Sequence, residues 1–292
     1  DQERDVRRAV FDRTQGHVEG TALWLHGLYD WAHSRGGNAL RVGVDRKGVL
    51  GGIDGGLGGL RVGVMGGYVD GDLHVRDQGA SATQKTKLVG VYAGWESGPL
   101  SLRGGGNWSW HDVDTSRAIA FPGLTGTAAA SYDAQSGQLF GEIAYDLLGG
   151  PLRLEPFAGL AHVRSRTEAF TETGSAGALN VGRETRDANF ATLGLRFGGE
   201  MGAGTGTTIR PRVSAAWQRG WGDLTGTTSA AFGAGGASFG LTGAGIGRDT
   251  LVLDGGLDAD LGGGLSVGAS ANATVSNRWS STGLRAILGL HF

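Results

Sequence analysis

From residue 20 onward the chain alternates apolar with small or polar side chains at a period of two, run after run. Between positions 100 and 110 the even residues are Leu100, Leu102, Gly104, Gly106, Trp108 and Trp110, and the odd ones Ser101, Arg103, Gly105, Asn107 and Ser109. The same alternation recurs at Leu60, Val62, Val64 and Tyr68, at Val89, Val91 and Trp95, at Leu139, Ile143 and Tyr145, and at Ile209, Val213 and Trp217. Period two puts successive side chains on opposite faces of a strand. Twelve such runs are predicted, near 20–32, 42–56, 60–71, 86–97, 100–112, 132–148, 152–165, 186–200, 207–219, 248–261, 265–276 and 284–292.

The connectors alternate in length. Short glycine-containing turns stand at 57–59, 98–99, 149–151, 202–206 and 262–264, and longer polar or small-residue segments at 33–41, 72–85, 113–131, 166–185, 220–247 and 277–283. Short turns at one end and long loops at the other describe an all-β protein, a twelve-stranded antiparallel transmembrane β-barrel of the outer-membrane type. A soluble β-sandwich also alternates, but its inner faces need large side chains. Here leucine and valine are diluted by 58 glycines in 292 residues. In a barrel the apolar face meets lipid and the other lines a wet lumen, which accounts for the isolated Arg, Glu and Asp on that second face. Tyr68, Trp95, Trp108, Trp110, Tyr145 and Trp217 fall near run ends, where an interfacial aromatic girdle is expected.

Composition closes other routes. Without cysteine there is no disulfide framework, Cys–zinc site or redox pair. No stretch approaches 18 consecutive apolar residues, so neither a transmembrane helix nor an intact signal-peptide core is expected. A formal net charge of −2 lacks the basic balance of a nucleic-acid binder.

The first nineteen residues follow a different rule. Asp1, Glu3, Asp5 and Asp12 alternate with Arg4, Arg7, Arg8 and Arg13, which sum to zero. On a helix Asp1–Arg4 and Asp5–Arg8 would pair at i,i+3, and Glu3–Arg7 and Arg8–Asp12 at i,i+4. Val6, Val10 and Phe11 form a thin apolar stripe, and Gly16 offers a stop. A helix this polar suits neither lipid nor an apolar core. A water-lined pore of mixed charge would accept it, supplied by Arg61, Arg103, Glu142, Glu155, Arg196, Arg210 and Asp254. The expected organisation is therefore a linker and lumen helix over 1–19 and a barrel over 20–292.

No catalytic, cofactor or metal site is predicted. The seven histidines are never closer than seven residues, and none of the lysines completes a phosphate-binding loop. Gly-x-Ser-x-Gly occurs around Ser238 and Ser266, but neither lies in the strand–turn–helix context a nucleophile elbow needs. His111-Asp112 beside Trp110 reads as polar residues where a strand leaves the membrane, and Glu142 with Glu155 as lumen salt-bridge partners rather than a glycosidase dyad.

At the C-terminus Leu284, Ala286, Leu288, Leu290 and Phe292 share one face, ending on the aromatic. Interior stretches carry a more specific signal: Ala118-Ile-Ala-Phe-Pro-Gly-Leu124, Ala130-Ser-Tyr-Asp-Ala134, Gln138-Leu-Phe-Gly-Glu142, Leu154-Glu-Pro-Phe-Ala-Gly-Leu-Ala161, Phe170-Thr-Glu-Thr-Gly174 and Thr192-Leu-Gly-Leu-Arg196. Taken in order over about residues 20 to 292, they resemble the C-terminal translocator domain of classical monomeric autotransporters, the type V secretion proteins of Gram-negative bacteria. The resemblance implies an outer-membrane barrel with one helix in its lumen, which anchors and exports an N-terminal passenger to the cell exterior. It implies no enzyme activity in the barrel and no cofactor. The implied partners are the chain's own passenger, the barrel assembly machinery, outer-membrane lipid and lipopolysaccharide, with the barrel monomeric and binding no nucleic acid. Arg4, Arg7, Arg8, Arg61, Arg103, Glu142, Glu155, Arg196 and Arg210 would seat the helix, and Leu288, Leu290 and Phe292 would form the assembly signal. Some members cleave the passenger at an Asn-Asn bond in the pore, and this chain has no adjacent asparagines. A small outer-membrane diffusion channel is the alternative from another class, and an outer-membrane enzyme comes third.

Overall fold

The computed structural model describes residues 2–15, 20–34, 41–75, 79–204 and 206–292, apart from the side chain at 121. Among the described residues one α-helix, α1 (Gln2–Arg13), precedes twelve long strands. These are β1 (Gly20–Ser34), β2 (Val42–Leu57), β3 (Leu60–Val75), β4 (Ala80–Ser97), β5 (Leu100–Phe121), β6 (Leu124–Tyr145), β7 (Leu152–Thr167), β8 (Glu184–Gly199), β9 (Thr208–Gly222), β10 (Asp249–Asp260), β11 (Leu265–Ser276) and β12 (Trp279–His291). Each pairs antiparallel with the next. The first pairs with the last, from Ala22 opposite His291 to Ser34 opposite Trp279, so the sheet closes and leaves no edge. No helix among the described residues is long and apolar enough to cross a membrane.

Period two has its expected outcome. Val62, Val64, Val89, Val91, Leu139, Leu160, Leu193 and Leu251 are exposed on the outer wall. So wide an apolar exterior suits contact with hydrocarbon rather than water. At one end the turns are tight. Leu57 pairs with Leu60 across Gly58 and Gly59, whose φ angles of 58° and 83° give the doubly left-handed two-residue turn that matches strand twist.

The other end departs from the expected loops. The segments 72–85 and 113–131 are largely strand: β4 begins at Ala80, and β5 and β6 run on to meet at Pro122-Gly123. Above the apolar belt one face of this hairpin, with Val113, Ile119, Ala128 and Ala130, is buried while the other is exposed, and small residues such as threonine, serine and alanine take many of the positions that large apolar side chains hold lower down. The segments 166–185 and 220–247 contribute short strands, Phe170–Thr171, Leu179–Val181, Thr227–Phe232 and Phe239–Thr242, to a separate four-stranded sheet. That sheet is tied to the hairpin by a bridge between Ala129 and Thr173, by Tyr132 stacked on Phe170 at 4.1 Å, and by Arg117 bound to Glu172.

Candidate functional site

Helix α1 lies inside the ring, and its two flanks meet different walls. Val6, Ala9 and Val10 are at most 1% exposed. They pack on Trp24 and Leu28 of β1, Leu50 of β2, Met65 and Val69 of β3, Leu88 and Tyr92 of β4 and Phe140 of β6. Phe11 meets Phe140 edge-to-face at 5.5 Å. This corrects the expectation of a wholly wet pore that offers the helix no apolar host. The thin stripe of the helix has a matching apolar wall. A signal for it existed in Ala22-Leu23-Trp24-Leu25, where both strand faces are apolar although only one faces outward.

The C-terminal end of the helix is held by a polar chain at the foot of that wall. Trp24 Nε1 donates to the Tyr92 hydroxyl at 2.6 Å, and the hydroxyl donates to Asp54 at 2.7 Å. Asp54 also accepts two hydrogen bonds from Arg13 at 2.5 and 2.8 Å. Arg61 donates to the Arg13 carbonyl at 2.5 Å and so places a cation at the negative end of the helix dipole. Gly63 makes room for this: a Cβ there would overlap the Tyr92 ring.

Elsewhere the helix is seated by polar groups from around the ring. Asp12 lies 3.1 Å from Arg285 and 3.3 Å from Arg212. Asp5 lies 3.3 Å from Arg46 and 3.6 Å from Arg8, which also donates to Asn272. Glu3 accepts from Asn107 at 3.1 Å and from Ser136 at 2.6 Å, and its carbonyl accepts from Gln138 at 2.9 Å. Arg7 donates to Gln138 at 2.6 Å and Arg4 to Gln218 at 3.0 Å. Of the expected pairs within the helix, Asp5–Arg8 is present, whereas Glu3 and Asp12 turn to the wall instead of to Arg7 and Arg8. Asp1 and Gly16 lie outside the described residues.

The residues expected to seat the helix fall into three groups. Arg4, Arg7, Arg8 and Arg61 contact other groups within the helix–wall interface as given above. Arg103, Glu142, Glu155 and Arg196 bind one another across β5 to β8: Arg103 is 3.0 Å from Glu142 and 3.6 Å from Glu155, and Arg196 is 3.1 Å and 3.2 Å from the same two. Arg196 also lies over Phe157 at 4.6 Å. Glu142 and Arg196 border a cavity of about 100 Å³ beside Arg8 and Asp12 without an ion pair to the helix. Arg210, half-exposed, pairs instead with Glu200 at 2.9 Å. The helix contacts Asp54, Arg46, Arg212, Arg285, Gln138, Asn107, Ser136, Gln218 and Asn272 are not distinguished by alternation alone, because which inward position reaches α1 depends on depth in the barrel as well as parity.

The aromatic candidates Tyr68, Trp95, Trp108, Trp110, Tyr145 and Trp217 stand partly exposed on the outer wall. Leu288 and Leu290 share that wall, and Phe292 exchanges backbone hydrogen bonds with Thr21 at 2.9 and 3.1 Å. His111 points into the lumen, within 2.8 Å of Thr86 and 2.9 Å of Ser136, while Asp112 reaches outward to 3.8 Å from Lys87. Neighbours on opposite faces form no dyad. Among the described residues no cluster suits a metal ion.

The sequence profile of the autotransporter β-domain matches residues 23–272. Two extracellular serine proteases of Serratia marcescens are 33% and 32% identical over 260 residues, which cover 88% of this chain and 25% of theirs. The chain thus spans about a quarter of the length of these relatives. The fold is similar to the translocator domain of autotransporter NalP from Neisseria meningitidis, with a TM-score of 0.80 at 16% identity over all of this chain and 96% of that one. It is also similar to the β-domain of the Bordetella autotransporter BrkA, with a TM-score of 0.68 at 19% identity over 94% of this chain and all of that one. A closed twelve-strand ring, an apolar exterior, a helix in the lumen and this family match agree: the chain belongs to the autotransporter β-domain family and is an outer-membrane translocator of the Gram-negative type.

Proposed function

We propose that this barrel anchors a passenger joined to the N-terminal end of α1 and delivers it to the cell exterior. The observation that carries this is the direction of the helix. Gln2 lies beside Thr86, toward the long-loop end, whereas Arg13 lies beside Asp54 and Arg61, toward the short-turn end where β1 begins. With short turns in the periplasm, a segment preceding the helix leaves through the outer mouth. The division is then a linker with its lumen helix over 1–19 and a translocator over 20–292. The residues that contact the helix serve to hold it, the outward aromatics set the barrel's depth, and Leu288, Leu290 and Phe292 mark it for the barrel assembly machinery. Lipopolysaccharide surrounds the outer half of a monomeric barrel. The barrel itself catalyses nothing, and any protease activity like that named for the Serratia relatives resides in the passenger.

The test is an epitope placed before Gln2 in cells that express the barrel. Exterior protease should remove it from intact cells while the barrel survives. Protection of the epitope until the outer membrane is opened defeats the reading. A porin-like channel would instead show high conductance with α1 in place.

A further inference from the structure

The four-stranded sheet outside the ring has two edges, and they differ. At one, Phe170–Thr171 lies against the hairpin of β5 and β6, where Thr173 and Ala129 exchange backbone hydrogen bonds at 2.8 and 3.0 Å. At the other, Phe239–Thr242 pairs with Thr227–Phe232, and among the described residues no strand lies on its far side. Alternation along an antiparallel ladder decides which backbone groups face that side. Gly243 donates to the Gly226 carbonyl at 2.9 Å, so Leu241 and Phe239, two and four residues back, also bond inward. Ser229, opposite Gly240, agrees: its carbonyl turns the other way and accepts from Gly182 at 2.8 Å. The N–H and C=O groups of Gly240 and Thr242 therefore point out of the sheet.

Exposed edges are commonly blunted by a charge, a proline or a bulge. This one has no such guard. From Leu224 to Gly247 there is neither a charged residue nor a proline, and the register runs from Thr227–Thr242 to Ala230–Phe239 without a bulge. Phe232, Phe239 and Leu241 are exposed, with the two phenylalanine rings 5.5 Å apart. The segment after the strand is fixed to the barrel: Trp279 Nε1 donates to the Gly245 carbonyl at 3.1 Å, and Arg278 to the Thr225 hydroxyl at 3.2 Å.

The placement of α1 says what meets this edge. Gln2, Glu3 and Arg4 share a cavity of about 470 Å³ with Ala244, Ile246 and Gly247, and Ala244 lies two residues past Thr242. A polypeptide joined to the N-terminal end of α1 leaves beside this strand. The Serratia relatives, of which the matched part is 25%, are long enough to supply one.

We propose that Phe239–Thr242 is the docking edge for the end of the passenger, the segment that precedes Asp1. That segment adds to the sheet as a fifth strand through Gly240 and Thr242 and lays apolar side chains beside Phe239 and Leu241. The proposal rests on the passenger-export reading. Main-chain bonding at a sheet edge accepts an extended segment of almost any sequence, and contacts at alternate side chains tune it. The edge thus gives the exported chain an ordered start at the mouth.

The experiment uses the full-length protein, passenger included, on intact cells. This chain has no cysteine. Thr242→Cys is combined with single cysteines at successive positions ahead of Asp1, any native passenger cysteine being replaced by serine, and a short thiol cross-linker is added. A docked strand should cross-link at every second position, since successive side chains take opposite faces. Leu241→Cys should shift that pattern by one residue, and Lys87→Cys on the outer wall should give none. Thr242→Pro removes an edge-facing N–H and spares the bonds to Thr227–Phe232. It should abolish the pattern from Leu241→Cys and speed hydrogen exchange at Gly240 about tenfold, the factor of roughly one net hydrogen bond. Gel mobility without boiling reports whether each variant is an assembled barrel; if Thr242→Pro is not, the two cysteine scans decide. Cross-links at every position or at none, or a pattern that survives Thr242→Pro, overturn the proposal. So does a barrel-to-barrel cross-link through Thr242→Cys, which assigns the edge to a second copy. An exposed epitope without the periodic pattern defeats docking and leaves export standing, whereas an epitope protected on intact cells defeats both.

Discussion

On the side of the lumen built by β1–β4, helix α1 touches Trp24, Leu50, Met65 and Leu88; on the side built by β8–β11, it faces Arg212, Gln218, Asn272 and open space. The first contact is ordinary close packing and is indifferent to salt. The second is polar and bordered by a cavity of about 100 Å³. A plug held only by charge would loosen as ionic strength rises, and one held only by packing would need an apolar sequence that resists an aqueous pore. Dividing the two tasks between flanks lets twelve residues that carry seven charges remain seated in a lumen.

The comparison can be broken most severely by removing the helix. A barrel without residues 2–13 should conduct far more than the parent in single-channel recordings, and equal conductance would mean that α1 does not fill the lumen in the membrane. Next, Asp54→Ala strips Arg13 and Tyr92 of their common acceptor and Arg61 of a carboxylate 3.9 Å away. Leaving such charges unpaired costs about 3–5 kcal/mol, and the expected result is a helix that becomes a protease substrate while the ring stays intact. Smaller, and confined to the dry flank, Val6→Ala and Val10→Ala should each weaken seating by about 1–2 kcal/mol, read from the protection of α1, with no dependence on salt. Smallest of all, Gln218→Ala on the wet flank should cost about 1 kcal/mol or less. Its effect should shrink further in 1 M KCl, and an effect equal to that of Val10→Ala would erase the distinction between flanks.

Strand number, the alternation of short and long ends and the closing of the sheet were legible because lipid outside and water inside impose a period of two on every crossing. The pattern fades where the membrane ends. At 113–131 the strands continue past the lipid belt with one face buried and the other exposed, and small threonine and alanine residues at many positions carry a pairing that alternation of large apolar side chains does not report. Inside the ring the difficulty is depth. Arg210 and Arg212 share a face of β9 and are indistinguishable by parity, yet Arg212 meets Asp12 and Arg210 meets Glu200 nearer the turn. Asp54 and Arg46 of β2 and Arg285 of β12 reach the helix from strands at opposite ends of the barrel sequence, through registers that a single chain read end to end does not state.

The pairing of β1 with β12 has a consequence for how such an object is made. Its hydrogen bonds join the first and last strands of the barrel, so in any folding route this ladder carries the largest loop-closure entropy within the ring and is the costliest to form early. The helix is attached to β1, one lip of that seam, through a short connection. While the seam stands open α1 can be laid in from the side, and once Thr21 and Phe292 have joined it could arrive only by threading lengthwise past Arg46 and Gln138. A segment destined for the inside of a ring is thus best stored next to the gap, with the ring's last bond as the latch.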